Sequence, residues 1–446
     1  MIKKRKKFIY NSLIIVGVLL IIVVFIYGFT PSGRIFKGEV YNVPDENIDF
    51  LYDLTYKDDK GNLVYEHEIF NKVYEMVDNA EKFIILDMFL FGSTDKPVYR
   101  NLTQELTDKL VNKKNNKPDI EIYFITDYFN VINNYKGEHL YELEDLGINI
   151  IFSSPNKKQD LGEKDLINYF FKINKKRLDH RKLIITDKGD KIASLITSAN
   201  PHDMSSANSN IGIYIEDKIW RDIYGVEKKE GLISNEKIEY FFENVSDEVG
   251  EISVQYFADE GLLYSLKNEI DKSIKGDFIE IAVFLLSDKK VIEKLLSASK
   301  RGVDIKIILD TNENYFGVKK FGVPNKPVAE KLFKGSDGKI AIRWYDSQGE
   351  QFHTKLAVFK RKDNKNIILM GSSNFARNNI INYNLQSDVK ILADSDSLIM
   401  QEVDFYFNMI WFNQNRNYTA DFNEFRDKSF YKKLTYEREQ IFKKFF

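Results

Sequence analysis

The sequence predicts two tandem α/β units with helix-covered mixed β-sheets, preceded by one N-terminal transmembrane helix. Three observations carry this reading. An apolar run with a basic flank opens the chain, five strand-like segments occur twice in the same order, and short polar motifs recur at equivalent strand ends. A length of 446 residues fits two or three domains at about 150 residues each.

The run from Phe8 to Phe29 is long enough for a helix crossing the roughly 30 Å hydrocarbon core. Lys3, Lys4, Arg5, Lys6 and Lys7 precede it, so the N-terminus is expected in the cytoplasm and the rest outside, as a single-pass protein of the cell membrane. No small-residue cleavage site follows the run, which favours an uncleaved anchor over a signal peptide. Three segments are expected: 1–37 as basic tip, anchor and linker, 38–245 as the first unit, and 246–446 as the second with a helical tail.

Composition narrows the function classes. Lys+Arg 65 against Asp+Glu 67 gives a net charge of -2, which disfavours a strongly basic nucleic-acid binder. The chain has no cysteine, so disulfides, thiolate metal sites and cysteine nucleophiles are ruled out.

FIILDMFLF from 83 and FIEIAVFLL from 278 read as buried strands, each between two helical segments. IEIYFITD (120–127) pairs with VDIKIILD (303–310), and INIIF after Gly147 pairs with IAIRWY after Lys339. HRKLIITD (180–187) matches HTKLAVFK (353–360), and LITSAN (195–200) matches LMGSSN (369–374). Strands alternating with helices predict largely parallel pairing under helical cover.

The polar motifs sit on this frame. His180 and Lys182, like His353 and Lys355, are two apart on a strand and so share a face. Ser198 and Asn200 follow the first pair, and Ser372 and Asn374 the second. Asn210 and Asn384 each lie ten residues beyond an asparagine. Asp127 and Asp310 end equivalent strands, where they either line a site or cap loops. His202 reads as a helix-start residue, and His67 and His139 as surface residues.

This doubled pattern resembles the phospholipase D superfamily, whose motif is HxKxxxxD followed by G-G/S-x-N. His180, Lys182 and Asp187 match fully, whereas Lys360 stands where the second aspartate would be. Gly371-Ser372-Ser373-Asn374 matches, and Thr197-Ser198-Ala199-Asn200 departs at its first residue. The family commonly places Glu or Asp downstream to orient a histidine; Asn210 and Asn384 stand near those positions.

The resemblance implies phosphodiester cleavage or exchange through a phosphohistidine, on an active site formed within one chain. His180 is expected as nucleophile and His353 as acid/base, with Lys182, Lys355 and Asp187 as the other motif residues. Ser198, Asn200, Ser372 and Asn374 are expected to bind the substrate phosphate, with Asn210 and Asn384 behind the imidazoles. No metal or cofactor is required, because two lysines supply the positive charge. The expected substrate is a phospholipid, as for a phospholipase D or a cardiolipin synthase. Two alternatives stand: a nuclease, kept open by Lys-rich patches at 112–117 and 172–177, or a catalytically degenerate binding protein. The aromatic stretch 405–415 reads first as a final core helix and second as an interfacial contact.

Overall fold

The computed structural model describes residues 35–127, 130, 137–153, 178–242, 248–315, 318–376 and 384–442. Residues 35–446 form one compact unit. The expected anchor and the patch at 172–177 lie outside the described residues. Among those described, no helix is long and apolar enough to cross a membrane.

Among the described residues nineteen strands follow in chain order. The first nine are β1 (Ile35–Val43), β2 (Ile48–Lys57), β3 (Leu63–His67), β4 (Phe83–Met88), β5 (Glu121–Thr126), β6 (Asn149–Phe152), β7 (Lys182–Lys188), β8 (Lys191–Thr197) and β9 (Asn210–Glu216). Then come β10 (Ile252–Asp259), β11 (Phe278–Val283), β12 (Asp304–Leu309), β13 (Asn314–Tyr315), β14 (Val318–Lys319), β15 (Ala341–Tyr345), β16 (Lys355–Lys360), β17 (Lys365–Gly371), β18 (Ser387–Asp394) and β19 (Thr419–Asp421).

The first sheet runs β3-β2-β9-β8-β7-β4-β5-β6, and the second β1-β10-β18-β17-β16-β11-β12-β15-β19. Without the edge strands β3, β1 and β19, the two orders are the same. The match extends to direction: β4–β5–β6 and β11–β12–β15 pair in parallel, while β4–β7 and β11–β16 pair antiparallel. All six residues of β4 are buried, as expected for a central strand covered on both faces.

Helices Ile69–Asn79 and Leu102–Asn116 cover the outer face of the first sheet. Helices Gly261–Lys272, Lys289–Lys300 and Asn325–Gly335 cover that of the second. Helices Trp220–Lys229 and Leu398–Trp411 share a third core with the inner faces of both sheets. The layers therefore alternate helix, sheet, helix, sheet, helix.

One boundary changes here and one expectation holds. β1 begins in the span assigned to the linker and runs on into that assigned to the first unit, yet it pairs with β10 and extends the second sheet. The stretch 405–415 is mostly core: Tyr406, Phe407 and Ile410 are buried, and Ser397 caps the helix by accepting from Met400 N–H at 3.3 Å. Such a cap contributes about 1 kcal/mol.

Candidate active site

The parallel strands β4, β5, β11 and β12 end where β7 and β16 begin, so both histidine–lysine motifs start at one end of their sheets. A buried aspartate at the end of the neighbouring strand fixes each motif. Asp127 Oδ2 accepts from Asp179 N–H at 2.8 Å, and Asp310 Oδ2 from Phe352 N–H at 2.8 Å. Both donors immediately precede a motif histidine. The two aspartates therefore hold the loops that present the histidines.

The halves then cross over. His180 N–H donates to Leu385 O at 2.9 Å, and His353 N–H to Ser209 O at 2.8 Å. Each motif loop is thus strapped to the strand entry of the other half. The side chains follow: His180 Nδ1 lies 3.1 Å from Gln386 Oε1, and His353 Nδ1 lies 3.0 Å from Ser198 O and 3.3 Å from Asn210 Oδ1. These partners are carbonyl oxygens, so each Nδ1 carries the proton and each Nε2 keeps its lone pair.

Asn210 therefore stands behind His353, as expected of it, but Asn384 does not stand behind His180. Gln386 takes that place. The ten-residue spacing from Asn200 to Asn210 becomes twelve from Asn374 to Gln386, and equal spacing misplaced the residue by two. Ser198 and Ser372 are also reassigned. Ser198 Oγ donates to Asn210 Oδ1 at 3.2 Å, and Ser372 Oγ to Gln386 Oε1 at 2.7 Å. Both serines are fully buried and orient the amides rather than facing a ligand. Asn200 Oδ1 accepts from Leu90 N–H at 3.2 Å, which leaves its amide donors for the site. Asn374 is half-buried, with an Oδ1 that has no partner among the described residues.

Lys182 and Lys355 are fully buried, and their Nζ atoms donate to His180 O at 2.6 Å and His353 O at 2.7 Å. They lie over the rings of Phe89 and Phe284, at 5.0 and 5.5 Å from the centroids. The same rings pack on His180 and His353 at 4.9 and 5.2 Å. The aromatic pair was hidden in the sequence among core residues; its signal was one phenylalanine just past each of two equivalent strands. Among the described residues, neither lysine makes an ion pair. Burial pushes Lys182 down to about 7 and Lys355 well below its ordinary value, with the Lys182 charge lowering Lys355 further. Burial, then both lysine charges, push His180 and His353 well below 6.5. The His353 imidazole also feels the His180 charge, so these four groups share one site. The charges of Asp179, Asp87 and Asp388 offset part of the cost of burying Lys182, and those of Asp310 and Asp388 part of that of Lys355.

Asp187 lies outside this site. It sits five residues beyond Lys182, about 17 Å along β7, and accepts from Lys82 N–H at 2.8 Å and Phe83 N–H at 2.9 Å. Its work is to anchor the entry to β4. In the second half Lys360 holds the same place and pairs instead with Glu280 at 2.8 Å and Asp404 at 2.9 Å.

Two of the remaining histidines are structural. His202 is buried, with Nδ1 3.3 Å from Ser205 Oγ at a short helix start. His67 is half-buried rather than on the surface, with Nε2 3.2 Å from Thr55 Oγ1. Lys113 and Lys114 in the patch at 112–117 donate to the carbonyls of Asp78, Ala80, Pro118 and Ile120 at 2.7–2.9 Å. They cap chain ends and do not form an open basic groove.

Residues 266–411 match the family described as cardiolipin synthase, PLD-like domain. The chain is similar to phosphatidylserine synthase of Haemophilus influenzae Rd KW20, at 12% identity over 91% of this chain and 95% of that one, with a TM-score of 0.60. That likeness shows the fold. Weaker likenesses are to polyphosphate kinase of Porphyromonas gingivalis (13% identity, 84% of this chain, 48% of that one, TM-score 0.48) and to Nuc of Salmonella typhimurium (20% identity, 38% of this chain, 98% of that one, TM-score 0.29). No curated protein matches the chain. The family match thus places a cardiolipin synthase, PLD-like domain in the second half, and the doubled motif and doubled sheet carry the resemblance to the phospholipase D superfamily into the first half.

Proposed function

We propose that this protein is a membrane-anchored phosphodiesterase or phosphatidyltransferase that acts on phospholipids through a phosphohistidine. The observation that carries this reading is the reciprocal strap, in which each half orients the other half's histidine beside an unpaired buried lysine.

His180 Nε2 attacks phosphorus and forms the P–N bond while the P–O bond to the departing alcohol breaks. His353, protonated at Nε2, gives its proton to that oxygen. His353 then takes a proton from water or an incoming alcohol, whose oxygen attacks phosphorus and releases His180. General acid help of this kind contributes about 10²–10⁴-fold. Lys182, Lys355 and the Asn200 amide offset the charge on the phosphoryl oxygens, where one lost donor costs about 10²–10³-fold.

The reading also places the apolar N-terminal run in the membrane, N-terminus inside and catalytic unit outside. Ile35 pairs with Asp259, and Asp259 N–H lies 3.3 Å from Gln386 O. The unit is therefore entered at the end of its second sheet that carries Gln386, which suits a site served by lipid.

The test incubates the full chain with vesicles of phosphatidylglycerol and phosphatidylethanolamine plus a chelator, and follows lipids by mass spectrometry. Phosphatidic acid or cardiolipin is expected, and His180→Ala lowers its rate by at least about 10⁴-fold. Turnover unchanged in His180→Ala, or none with the wild type, would sink the reading.

A further inference from the structure

We infer that the segment 319–321, which leaves the base of the β13–β14 hairpin, and the start of the C-terminal helix form a docking face for an anionic lipid surface. Phe321 is 76% exposed, Phe430 76%, Tyr431 72% and Leu434 51%. Side chains of that size normally end up covered, and a cluster of them on a surface marks an interaction site.

The two segments are joined in space. Gly322 packs on Lys326, and the Lys326 ammonium lies 5.6 Å from the Phe425 ring centroid. Lys432 pairs with Asp427, two residues further on. Helix Phe430–Phe442 packs on helix Asn325–Gly335. Between them lies a cleft of about 620 Å³ whose walls include Lys289, Lys331, Lys334, Lys428, Lys432 and Lys433. Six lysines face three carboxylates there, Glu330, Asp427 and Glu437. Lys319 and Lys320 are exposed beside Phe321.

Exposed aromatics ringed by lysines match a bilayer interface, where rings enter the headgroup layer and ammonium groups meet anionic lipids. The apolar exposed side chains favour lipid over nucleic acid. The position also fits. Gly322 N–H donates to Asn312 O at 3.1 Å, and Asn312 N–H to Asp310 Oδ1 at 2.6 Å. Asp310 is the residue that holds the loop of His353, so this segment leaves the hairpin at the site end of the second sheet. This inference rests on the phospholipid reading and adds a second foothold beside the anchor.

The test uses residues 35–446, the compact unit, in sedimentation with vesicles of pure phosphatidylcholine or phosphatidylcholine with phosphatidylglycerol. Binding to anionic vesicles at least about tenfold tighter than to neutral ones is expected. Phe321→Ser with Phe430→Ser, and separately Lys319→Glu with Lys320→Glu, should each lower it about tenfold. Phe405→Ser, at a 57% exposed ring on helix Leu398–Trp411, should leave it unchanged. Thermal melting checks that each variant folds. Equal binding to both vesicles, or binding unmoved by both paired variants, would overturn the inference. So would a single-stranded oligonucleotide that binds this face while vesicles do not. No step requires turnover, so loss of the phosphodiesterase reading leaves this result standing.

Discussion

The two halves share one strand order but solve the same local problems with different residues. The N–H before each site asparagine needs an acceptor. In the first half Thr197 Oγ1 accepts from Ala199 N–H at 3.0 Å, and the residue paired across the sheet is Gly212. In the second, Asp388 Oδ1 accepts from Ser373 N–H at 3.0 Å, and its cross-strand partner is Gly371. Large and small have changed strands together. The departure of Thr197 from the family glycine is therefore compensated. A motif residue can be replaced when its neighbour across the ladder absorbs the change.

The residue after each histidine teaches the same lesson with charge. Arg181 is buried, and its Nη1 lies 3.0 Å from both oxygens of Glu227 and 3.7 Å from Asp87 Oδ2. Thr354 holds that place in the second half and meets Tyr406 Oη at 3.2 Å. Each partner comes from the helix that lies between the sheets. One half uses a buried ion pair where the other uses two hydroxyls.

Five substitutions sharpen or break this comparison. Glu227→Ala has the largest expected effect. It leaves a buried guanidinium short of its main partner and should lower stability by about 3–5 kcal/mol in urea denaturation. A loss under about 1 kcal/mol would show that the ion pair does not stabilise the first half. Next is Gly371→Ala. Its φ of +150° and a Cβ only 2.5 Å from Ser387 O leave no room, so about 2–3 kcal/mol should be lost. Melting at the wild-type temperature would refute the crowding argument.

The third change separates the two histidines. Amide oxygens do not carry the charge that would hold an imidazolium, so both rings favour the neutral form until a bound phosphodiester anion supplies that charge to His353. Gln386→Glu puts a carboxylate beside His180 and should raise its pKa by about one unit, worth about 1.4 kcal/mol. If His180 is the nucleophile, its protonation then removes activity at a higher pH, and the acid limb of kcat/KM moves up. Asn210→Asp does the same to His353, keeps the acid protonated longer and moves the alkaline limb up. The opposite pairing of limbs would exchange the two roles. Smallest is Tyr406→Phe, which removes one buried hydroxyl contact and should cost about 1 kcal/mol. A loss matching Glu227→Ala would erase the contrast between the halves.

Much of this was legible in the sequence. The period-two and buried strand patterns are local, so the repeated strand order could be read directly. The histidine and lysine of each motif share a face because the strand alternates, and that too is local. The role of Asp187 was not legible. Its motif spacing places it on the same strand as Lys182, and only the strand's length carries it away from the site. Gln386 was missed because loop lengths differ between the halves and spacing counts residues, not positions in space.

The amino-acid sequence alone determined the doubled α/β frame, the two histidine–lysine pairs and the chemistry such pairs perform, because propensity and alternation act over a few residues. Tertiary structure alone decided that β1 joins the second sheet, that Gln386 and Asn210 reach across to the opposite histidine, and that two lysines are buried with no ion pair among the described residues. Those outcomes depend on which edges pair and which side chains meet between halves more than 140 residues apart, and no local pattern encodes that.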